Sequence, residues 1–219
     1  MRATINLYNS DCLPAMRKMA DNQYGLCICD PPYKKCIQKK NPYQLGHQAK
    51  IRQYPKSKYW DIPGQDYFNE IIRISKNQII WGINYYNIAN PGHGRIIWNK
   101  NNSWKDMSDC EIAFQSFNEL VVSFEYTWAG MLQGNMKNKE IKIHKNQKPV
   151  ALYKWLLKNY AKPGDKILDT HFGSLSIGIA CWDYGFDLDA YEIDRDYFEA
   201  GKKRLDTHKA QLQIKYTNE

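Results

Sequence analysis

The sequence predicts an α/β protein in which helices pack on a mainly parallel sheet, and two observations support this fold class. Strand-like and helix-like segments alternate along the chain, as they do in proteins built around a parallel sheet. Residues 166–205 contain a strand–turn–helix–strand–helix series, which indicates a βαβ unit. The length of 219 residues suits one domain, which we expect to span residues 1–219.

In the first half of the chain, a buried strand over 25–29 ends before two prolines, because proline cannot continue a hydrogen-bonded ladder. Apolar residues at helical spacing predict a helix over 67–72. Two further apolar runs predict strands over 78–82 and 95–98. Residues 101–142 are the least regular part, where we expect a small, partly inserted recognition region.

In the second half, Pro149 begins a helix at a position where its missing N–H costs nothing. Strands over 166–169 and 187–192 flank an apolar helix over 174–182. Asp194 is a predicted N-cap for a closing helix that runs through Leu205.

Composition excludes several classes of protein. No apolar run reaches the length that a membrane-spanning helix needs. The chain turns polar within its first residues and lacks the apolar stretch of a secretory signal, so we expect no export. The six cysteines are scattered and include no Cys-x-x-Cys pair, so we expect free thiols, with neither a metal site nor a disulfide framework.

The net charge of +8 is concentrated in one segment, residues 34–58. This segment has eight of the 31 Lys and Arg residues and no Asp or Glu, and the rest of the chain balances its 23 acidic residues. A solvated basic loop would explain any such run, but the concentration, with tyrosines interspersed, favours a polyanionic partner. The basic residues are Lys34, Lys35, Lys39, Lys40, Lys50, Arg52, Lys56 and Lys58.

The segment Asp30-Pro31-Pro32-Tyr33 follows the predicted strand over 25–29, at an edge where open α/β sheets bind ligands. The prolines fix the backbone and remove two donors, which leaves the Asp30 carboxylate and the Pro31 carbonyl as acceptors. Two acceptors beside an aromatic ring match an exocyclic amino group on a flat heteroaromatic ring. An ordinary proline-terminated turn is the alternative.

A second group of residues follows the strand over 166–169, and Glu192 follows the next strand. Gly173 lets a ligand approach the backbone where a helix begins. An acidic residue about twenty residues beyond such a turn suits the two hydroxyls of a ribose. The pattern predicts an adenosine-type site, and the lack of a Gly-x-Gly-x-x-Gly run disfavours NAD and a dehydrogenase.

A third segment, His144-Lys145-Asn146-Gln147-Lys148-Pro149, leads into a helix. Backbone N–H groups at a helix start favour a carboxylate ligand. A capped basic loop is the alternative interpretation.

Taken in order, these segments resemble the amino-group DNA methyltransferases that use S-adenosylmethionine, in the motif order of the β class. The family has Asp-Pro-Pro-Tyr near its N-terminus, then a recognition region, a His-Pro-Thr-Gln-Lys-Pro-like segment, an Asp-Pro-Phe-x-Gly-Ser-Gly cofactor loop and a strand-ending Glu. Three further segments are similar to family motifs: Asn9-Ser10-Asp11-Cys12-Leu13, Gly82-Ile83-Asn84-Tyr85 and Trp98-Asn99-Lys100.

The resemblance implies a Rossmann-like S-adenosylmethionine methyltransferase fold, with a mixed, mostly parallel seven-stranded sheet and helices on both faces. It implies that Asp30, Pro31, Pro32 and Tyr33 are catalytic, and that Asp11 contacts the adenine of the cofactor S-adenosyl-L-methionine. The full set of cofactor residues that it implies is Asp11, Cys12, Asp30, Gln147, Lys148, Asp169, His171, Phe172, Gly173, Ser174 and Glu192.

The chain departs from the family pattern in the cofactor loop. Thr170-His171 stands where Pro-Phe is usual, and Leu175 replaces the second glycine. Ser176-Ile177 replaces Thr-Thr, and His144-Lys145-Asn146 replaces His-Pro-Thr. Leu175 either crowds the methionine end of the cofactor or tightens helix packing.

The resulting hypothesis is methyl transfer to a flipped-out adenine N6 in double-stranded DNA, with Lys34, Lys35, Lys39, Lys40, Lys50 and Arg52 as DNA contacts. Cytosine-N4 methylation is the nearest alternative, and a non-catalytic DNA-binding module, or an RNA or protein methyltransferase, belongs to other classes. Candidate base readers are Lys105, Gln115 and Gln133. A homodimer and a cognate restriction endonuclease are candidate partners, in the cytoplasm of a bacterial or phage-infected cell.

Overall fold

The computed structural model describes residues 3–33, 61–88, 91–102, 108–129 and 131–217, with side chains as far as residue 211. These residues form one eight-stranded sheet and a separate two-stranded hairpin. The strands are β1 (Ile5–Tyr8), β2 (Tyr24–Cys29), β3 (Ser75–Trp81), β4 (Arg95–Asn99), β5 (Cys110–Gln115), β6 (Val121–Glu125), β7 (Trp128–Ala129), β8 (Leu132–Gln133), β9 (Lys166–Asp169) and β10 (Asp187–Tyr191).

The strand order of the large sheet is β1-β10-β9-β2-β3-β5-β4-β6. Strand β5 runs antiparallel to both of its neighbours, and every other pair in this sheet is parallel. The first residues of β5 therefore lie at the edge where β2, β3, β4, β9 and β10 end.

Five α-helices of the described residues cover the sheet: α1 (Cys12–Met16), α2 (Gln65–Ile74), α3 (Val150–Tyr160), α4 (Ser176–Tyr184) and α5 (Arg195–Thr217). A short 3-10 helix spans Ile83–Tyr85. Alternate residues of β2 face two cores. Leu26 and Ile28 belong to the core beneath α3, α4 and α5, whereas Cys27 and Cys29 belong to the core beneath α1 and α2. None of the described helices combines the length and the apolar character that a membrane crossing requires.

The predicted fold class is confirmed, with helices on both faces of a mainly parallel sheet, although the sheet has one strand more than the predicted seven. Four strands, β5 to β8, lie within residues 101–142, which the sequence indicated as the least regular part of the chain. Strand β6 is held at the sheet edge because Phe124 packs on Trp155 of α3, with ring centroids 5.1 Å apart. A role of this region in target recognition stays a prediction.

The predicted start of the closing helix is confirmed. The Asp194 carboxylate accepts hydrogen bonds from the backbone N–H groups of Asp196 and Tyr197, at 3.0 and 3.3 Å. Helix α5 continues beyond the predicted end at Leu205 and reaches Thr217.

Candidate active site

The segment Asp30-Pro31-Pro32-Tyr33 lies directly after β2 and forms one wall of a cavity at the carboxyl edge of the sheet. Opposite elements contribute Gly173, from the loop after β9, and Glu192, which follows β10. Strands β2, β9 and β10 are close in the sheet, so their ends bring these segments together although they are far apart in sequence. Other predicted residues that line this cavity are Gln147, Lys148, His171, Phe172 and Ser174.

A second cavity lies beside the first and shares Pro32, His171 and Ile193 with it. Asp11 and Cys12 line this second cavity. Asp11 is also the N-cap of α1, where its carboxylate accepts a hydrogen bond from the N–H of Leu13 at 3.0 Å. The two cavities together form a cleft that brings the Asp11 segment close to the Asp30 and Glu192 segments.

The loop after β9 is tied to the end of β10 by Glu192. One carboxylate oxygen of Glu192 accepts a hydrogen bond from the N–H of Gly173, and the other accepts one from the N–H of Asp194, both at 2.9 Å. Gly173 has a left-handed φ of +49°, and a Cβ at this position would come within 3.6 Å of the His144 ring. The absent side chain therefore keeps the backbone of this loop open towards the cavity.

Asp169 lies behind the cavity wall and is buried. Its carboxylate accepts a hydrogen bond from the N–H of His171 at 2.9 Å. Asp169 lines neither of the two cavities described. A role of this residue in binding the cofactor would therefore be indirect, through the position of the loop after β9.

Two residues of the 144–149 segment have side chains that are already engaged. The Gln147 amide accepts from the N–H of Ile143 at 2.9 Å and donates to the carbonyl of Ile141 at 3.3 Å. The Lys148 ammonium contacts the Asp30 carboxylate and lies 3.0 Å from a Glu111 carboxylate oxygen. Direct contact of either residue with a cofactor stays a prediction.

The acceptors after β2 are arranged asymmetrically. Lys148 contacts Oδ2 of Asp30, whereas the buried Oδ1 has no hydrogen-bond partner among the described residues. The Pro31 carbonyl accepts a hydrogen bond from the Tyr86 hydroxyl at 2.7 Å and keeps its second lone pair. Oδ1 of Asp30 is thus a buried acceptor that makes no hydrogen bond among the described residues. A buried acceptor without a hydrogen bond lowers the stability of the folded state, and a donor on a ligand would remove that cost.

The Tyr33 ring stands against aromatic neighbours. It stacks on Tyr85, with ring centroids 4.6 Å apart and planes 3° apart, and it meets Tyr86 edge-on. Gly82 has a left-handed φ of +73°, and a Cβ there would lie 2.4 Å from the Tyr33 ring, so a larger residue would displace that ring.

Burial and neighbouring charges act in opposite directions on the pKa values of Asp30, Glu111 and Lys148. Burial, reinforced by Glu111, raises the pKa of Asp30, and Lys148 opposes that rise. Burial alone would raise the pKa of Glu111, but Lys148 and Lys100 hold it below its ordinary value. Burial alone would lower the pKa of Lys148, but Asp30 and Glu111 keep it well above its ordinary value. Lys148 is therefore a fixed cation at neutral pH.

Four groups around the cavity have pKa values moved by burial. Burial raises the pKa of Asp169 to about 8 and the pKa of Glu192 to about 7. It lowers the pKa of His144 and of His171 to about 4, so both imidazoles are neutral at pH 7. Carboxyl groups poised near neutrality in a cleft are common at functional sites.

The matching family is described as DNA methylase, and its family model covers residues 33–203 of the 219. The chain belongs to this DNA methylase family.

Two curated relatives match shorter segments. The type II methyltransferase M.HpaI of Haemophilus parainfluenzae is 34% identical over 70 residues, which are 32% of this chain and 22% of that protein. The DNA adenine methyltransferase YhdJ of Escherichia coli (strain K12) is 36% identical over 67 residues, 31% of this chain and 23% of that protein. The match therefore spans less than a quarter of the length of these relatives.

Two solved structures share the fold over nearly the whole chain. The M1.HpyAVI–SAM complex has a TM-score of 0.56 at 18% identity, with 92% of this chain and 100% of that chain covered. The PvuII DNA methyltransferase, which is cytosine-N4-specific, has a TM-score of 0.56 at 12% identity, with 93% and 87% covered. At these identities the likeness shows the fold alone.

Leu175, which departs from the family pattern, points away from the cleft. Its side chain is fully buried, and a Cβ built on Gly178 of α4 would lie 2.7 Å from it. It lines neither cavity. Of the two interpretations of this residue, the geometry favours tighter helix packing.

Two predicted base readers are corrected by the structure. The Gln115 amide is buried and bonds to the backbone of Phe117, Asn118 and Leu120, which closes the turn after β5. The Gln133 amide is buried and pairs with the backbone of Glu140. Because buried backbone groups need partners, these amides are occupied and unavailable to a base.

Several predicted DNA contacts lie outside the described residues. They are Lys34, Lys35, Lys39, Lys40, Lys50, Arg52, Lys56, Lys58 and Lys105. The predicted contact of these residues with DNA stays a prediction.

The most important residue that the sequence did not reveal is Glu111, near the start of β5. It binds Lys148 and, at 2.6 Å, Lys100. One charged residue at the start of a strand has no periodic signal, whereas Lys100 stood in a family-like segment. Tyr86 and Tyr153 also escaped the sequence analysis, although Tyr86 contacts Pro31 and Tyr153 lines the cavity.

Proposed function

We propose that this chain is an S-adenosylmethionine-dependent DNA methyltransferase that methylates the N6 amino group of adenine. The observation that carries the proposal is the buried Oδ1 of Asp30, which has no hydrogen-bond partner among the described residues and lies in a cavity that also contains Gly173 and Glu192. An amino group is the kind of donor that this acceptor lacks. Membership of the DNA methylase family supports the same reaction class.

The residues of the cleft suit S-adenosylmethionine. Glu192 suits the ribose hydroxyls, and the open backbone at Gly173 admits the ligand beside it. The family resemblance implies that Asp11, which lines the second cavity, contacts the adenine. The methionine end would then lie in the cavity lined by Asp30 and Tyr33. When bound, this cofactor supplies a methyl group on a positively charged sulfur.

The residues after β2 would prepare the target nitrogen. The lone pair of an exocyclic amino group is delocalised into its ring, so the nitrogen is a poor nucleophile. Asp30 and the Pro31 carbonyl, each accepting one N–H, would draw the nitrogen towards tetrahedral geometry and aim its lone pair at the methyl carbon. As the nitrogen–carbon bond forms, the methyl–sulfur bond would break to leave a neutral thioether, and the proton lost from the nitrogen would pass by way of Asp30 to solvent. Proximity and orientation of this kind supply a large share of an enzyme's acceleration.

A base inside a duplex cannot reach this cavity, so we propose that the target is flipped out, at a cost of a few kcal/mol. Stacking on Tyr33 would return about 1–3 kcal/mol of that cost. In the same proposal the basic segment 34–58 contacts the phosphates of the opened DNA. We further propose that the chain acts in the cytoplasm of a bacterial or phage-infected cell, with a second copy of the chain and a restriction endonuclease as partners.

The choice of base is the finer part of the proposal. Asp in the first position of the motif resembles adenine-N6 enzymes more than cytosine-N4 enzymes, in which Ser-Pro-Pro-Tyr is commoner. Adenine and cytosine both present an amino group on a similar ring edge. We therefore favour adenine on the identity of Asp30.

Incubation with mixed-sequence duplex DNA and methyl-labelled cofactor, followed by mass spectrometry of the nucleosides, tests the proposal. We expect N6-methyladenine at a defined sequence. N4-methylcytosine without N6-methyladenine would refute the choice of base. No methylated nucleoside, together with no cofactor binding at millimolar concentration in calorimetry, would favour the non-catalytic DNA-binding module.

A further inference from the structure

We propose that Glu111 is a positioning residue for methyl transfer: by sharing the Lys148 ammonium with Asp30, it keeps one Asp30 oxygen free for the target amino group. This inference rests on the proposed function of the same site. It assigns a role to a residue that no sequence motif indicated.

Four side chains of alternating charge form a continuous chain at the edge of the sheet. The Lys148 ammonium, with its side chain 3% exposed, contacts Oδ2 of Asp30 and lies 3.0 Å from Oε2 of Glu111. Oε1 of Glu111 lies 2.6 Å from the Lys100 ammonium. Two carboxylates therefore share one buried cation, and a second cation balances the outer carboxylate.

The direction of β5 explains why Glu111 is present at this edge. Because β5 is antiparallel to β3 and β4, its second residue lies beside the carboxyl ends of the parallel strands. Glu111 pairs in register with Trp98, and Lys100 follows the end of β4. One antiparallel strand thus delivers a carboxylate to an edge that otherwise receives only strand ends.

Sharing the ammonium has a consequence for Asp30. A lysine ammonium has three N–H donors, and Asp30 and Glu111 are the two carboxylates that contact it among the described residues. Without the Glu111 charge, we expect the ammonium to move onto Asp30 and to engage Oδ1 as well as Oδ2. Oδ1 of Asp30 is a buried acceptor with no hydrogen-bond partner among the described residues, and Oε2 of Glu111 likewise makes no hydrogen bond, so its 3.0 Å contact with Lys148 is an ion pair alone. Capture of Oδ1 by Lys148 would compete with the amino group of the target.

The titration of Asp30 provides a readout that loss of fold would not mimic. The charged and titratable groups that face Asp30 are Lys148, Glu111, Lys100, Asp169, Tyr33, Tyr86 and Tyr153. Glu111→Gln removes a negative charge from this set, so we expect the pKa of Asp30 to fall. Lys100→Met removes a positive charge, so we expect the pKa of Asp30 to rise.

We would measure the pKa by carbon-detected NMR of the labelled Asp30 carboxyl group, assigned from its absence in Asp30→Asn. The same variants would be tested for single-turnover methyl transfer across pH, with cofactor affinity from calorimetry. We expect Glu111→Gln to lower the maximal rate on the order of tenfold to a hundredfold, as misplaced reacting groups do, and to leave cofactor affinity unchanged. We expect the acid limb of the rate profile to move in opposite directions in Glu111→Gln and Lys100→Met.

Glu70→Gln is the matched control, because the Glu70 side chain has nearly the same exposure as Glu111, 20% against 21%, and is paired with Arg73 on α2. This control should move neither the rate nor the pKa of Asp30. If the wild-type chain is active, the positioning role is overturned by either of two results. The pKa of Asp30 stays unchanged in the test variants, or it shifts in the same direction in Glu111→Gln and Lys100→Met. An inactive wild-type chain contradicts the proposed function itself, and the positioning role with it.

Discussion

The rings of Tyr33 and Tyr85 lie parallel, with centroids 4.6 Å apart and planes 3° apart. Tyr85 is half exposed, so it covers the Tyr33 ring from the solvent side of the structure without being locked in the core. A flat base that enters the cavity can compete with Tyr85 for the same kind of contact.

This stack leads to a prediction for Tyr33. Tyr33→Ala should weaken binding of the flipped base by about 1–3 kcal/mol, the value of one base–aromatic stack. Tyr33→Phe keeps the ring and should bind as the wild type does. Fluorescence of 2-aminopurine placed at the target position would measure the flipping, and equal flipping by the Ala and Phe variants would contradict a stacking role.

Asp30→Asn should lower methyl transfer on the order of a hundredfold or more, because the target nitrogen loses its charged acceptor. Lys148 would still be paired with Glu111 in this variant, so the fold should persist. Single-turnover rates at saturating labelled cofactor measure the effect, and calorimetry measures any change in cofactor affinity separately. Asp66→Asn, which alters an exposed pair with Arg17, is the control and should leave the rate unchanged. A full rate in Asp30→Asn would remove this residue from the mechanism.

The cavity carboxyl groups predict how stability depends on pH. The pKa of Asp169, about 8, and that of Glu192, about 7, lie above their ordinary values, so the folded chain binds protons more tightly at these groups. Their contribution to stability is present at low pH and is lost as the pH rises to about 8. The pKa values of His144 and His171, about 4, are lowered, so the histidines oppose this trend only up to their ordinary pKa of 6.5.

We therefore expect the free energy of unfolding from these four groups to change little between pH 4.5 and 6.5 and to fall between pH 6.5 and 8. Asp169→Asn keeps the oxygen that accepts from His171 and should remove up to about 2 kcal/mol of that fall. Urea unfolding at a series of pH values checks this. An equally steep decline in Asp169→Asn would show that another group causes it.

Leu175 offers a test of packing against binding. Its side chain is buried between α4 and α5, and its φ of +57° is one that glycine adopts more easily. Leu175→Ala should lower the free energy of unfolding by about 2–5 kcal/mol, as other buried Leu-to-Ala changes do. Cofactor affinity, measured by calorimetry, should stay the same, and a tighter-binding variant of unchanged stability would contradict the assignment to packing.

The sequence predicts those parts of the site that local chemistry determines. The prolines after β2 end a strand wherever they occur, so the position of Asp30 could be inferred from its neighbours alone. The N-cap at Asp194 is equally local. These elements are confirmed because short-range sterics and hydrogen bonding fix them.

Other features depend on partners that are distant in sequence. In the sequence, Gln115 is a polar residue that is predicted to contact DNA. In the structure, both the nitrogen and the oxygen of its amide form hydrogen bonds with the backbone of the turn after β5. Glu111 reaches the Asp30 site only because β5 runs antiparallel between β3 and β4. Neither the hydrogen bonds of Gln115 nor the position of Glu111 is indicated by neighbouring residues in the sequence, so both could be found only from the tertiary structure.

The Glu192 carboxylate accepts hydrogen bonds from the backbone N–H groups of Gly173 and Asp194, which belong to two different loops. The wall of the cleft is therefore preorganised: the loops after β9 and β10 are already tied to each other. Binding of a small molecule here costs the protein little conformational entropy. The affinity is therefore determined mainly by the contacts that the molecule makes with the cleft. Hydrogen exchange at Gly173 should accordingly be slow before any ligand is added.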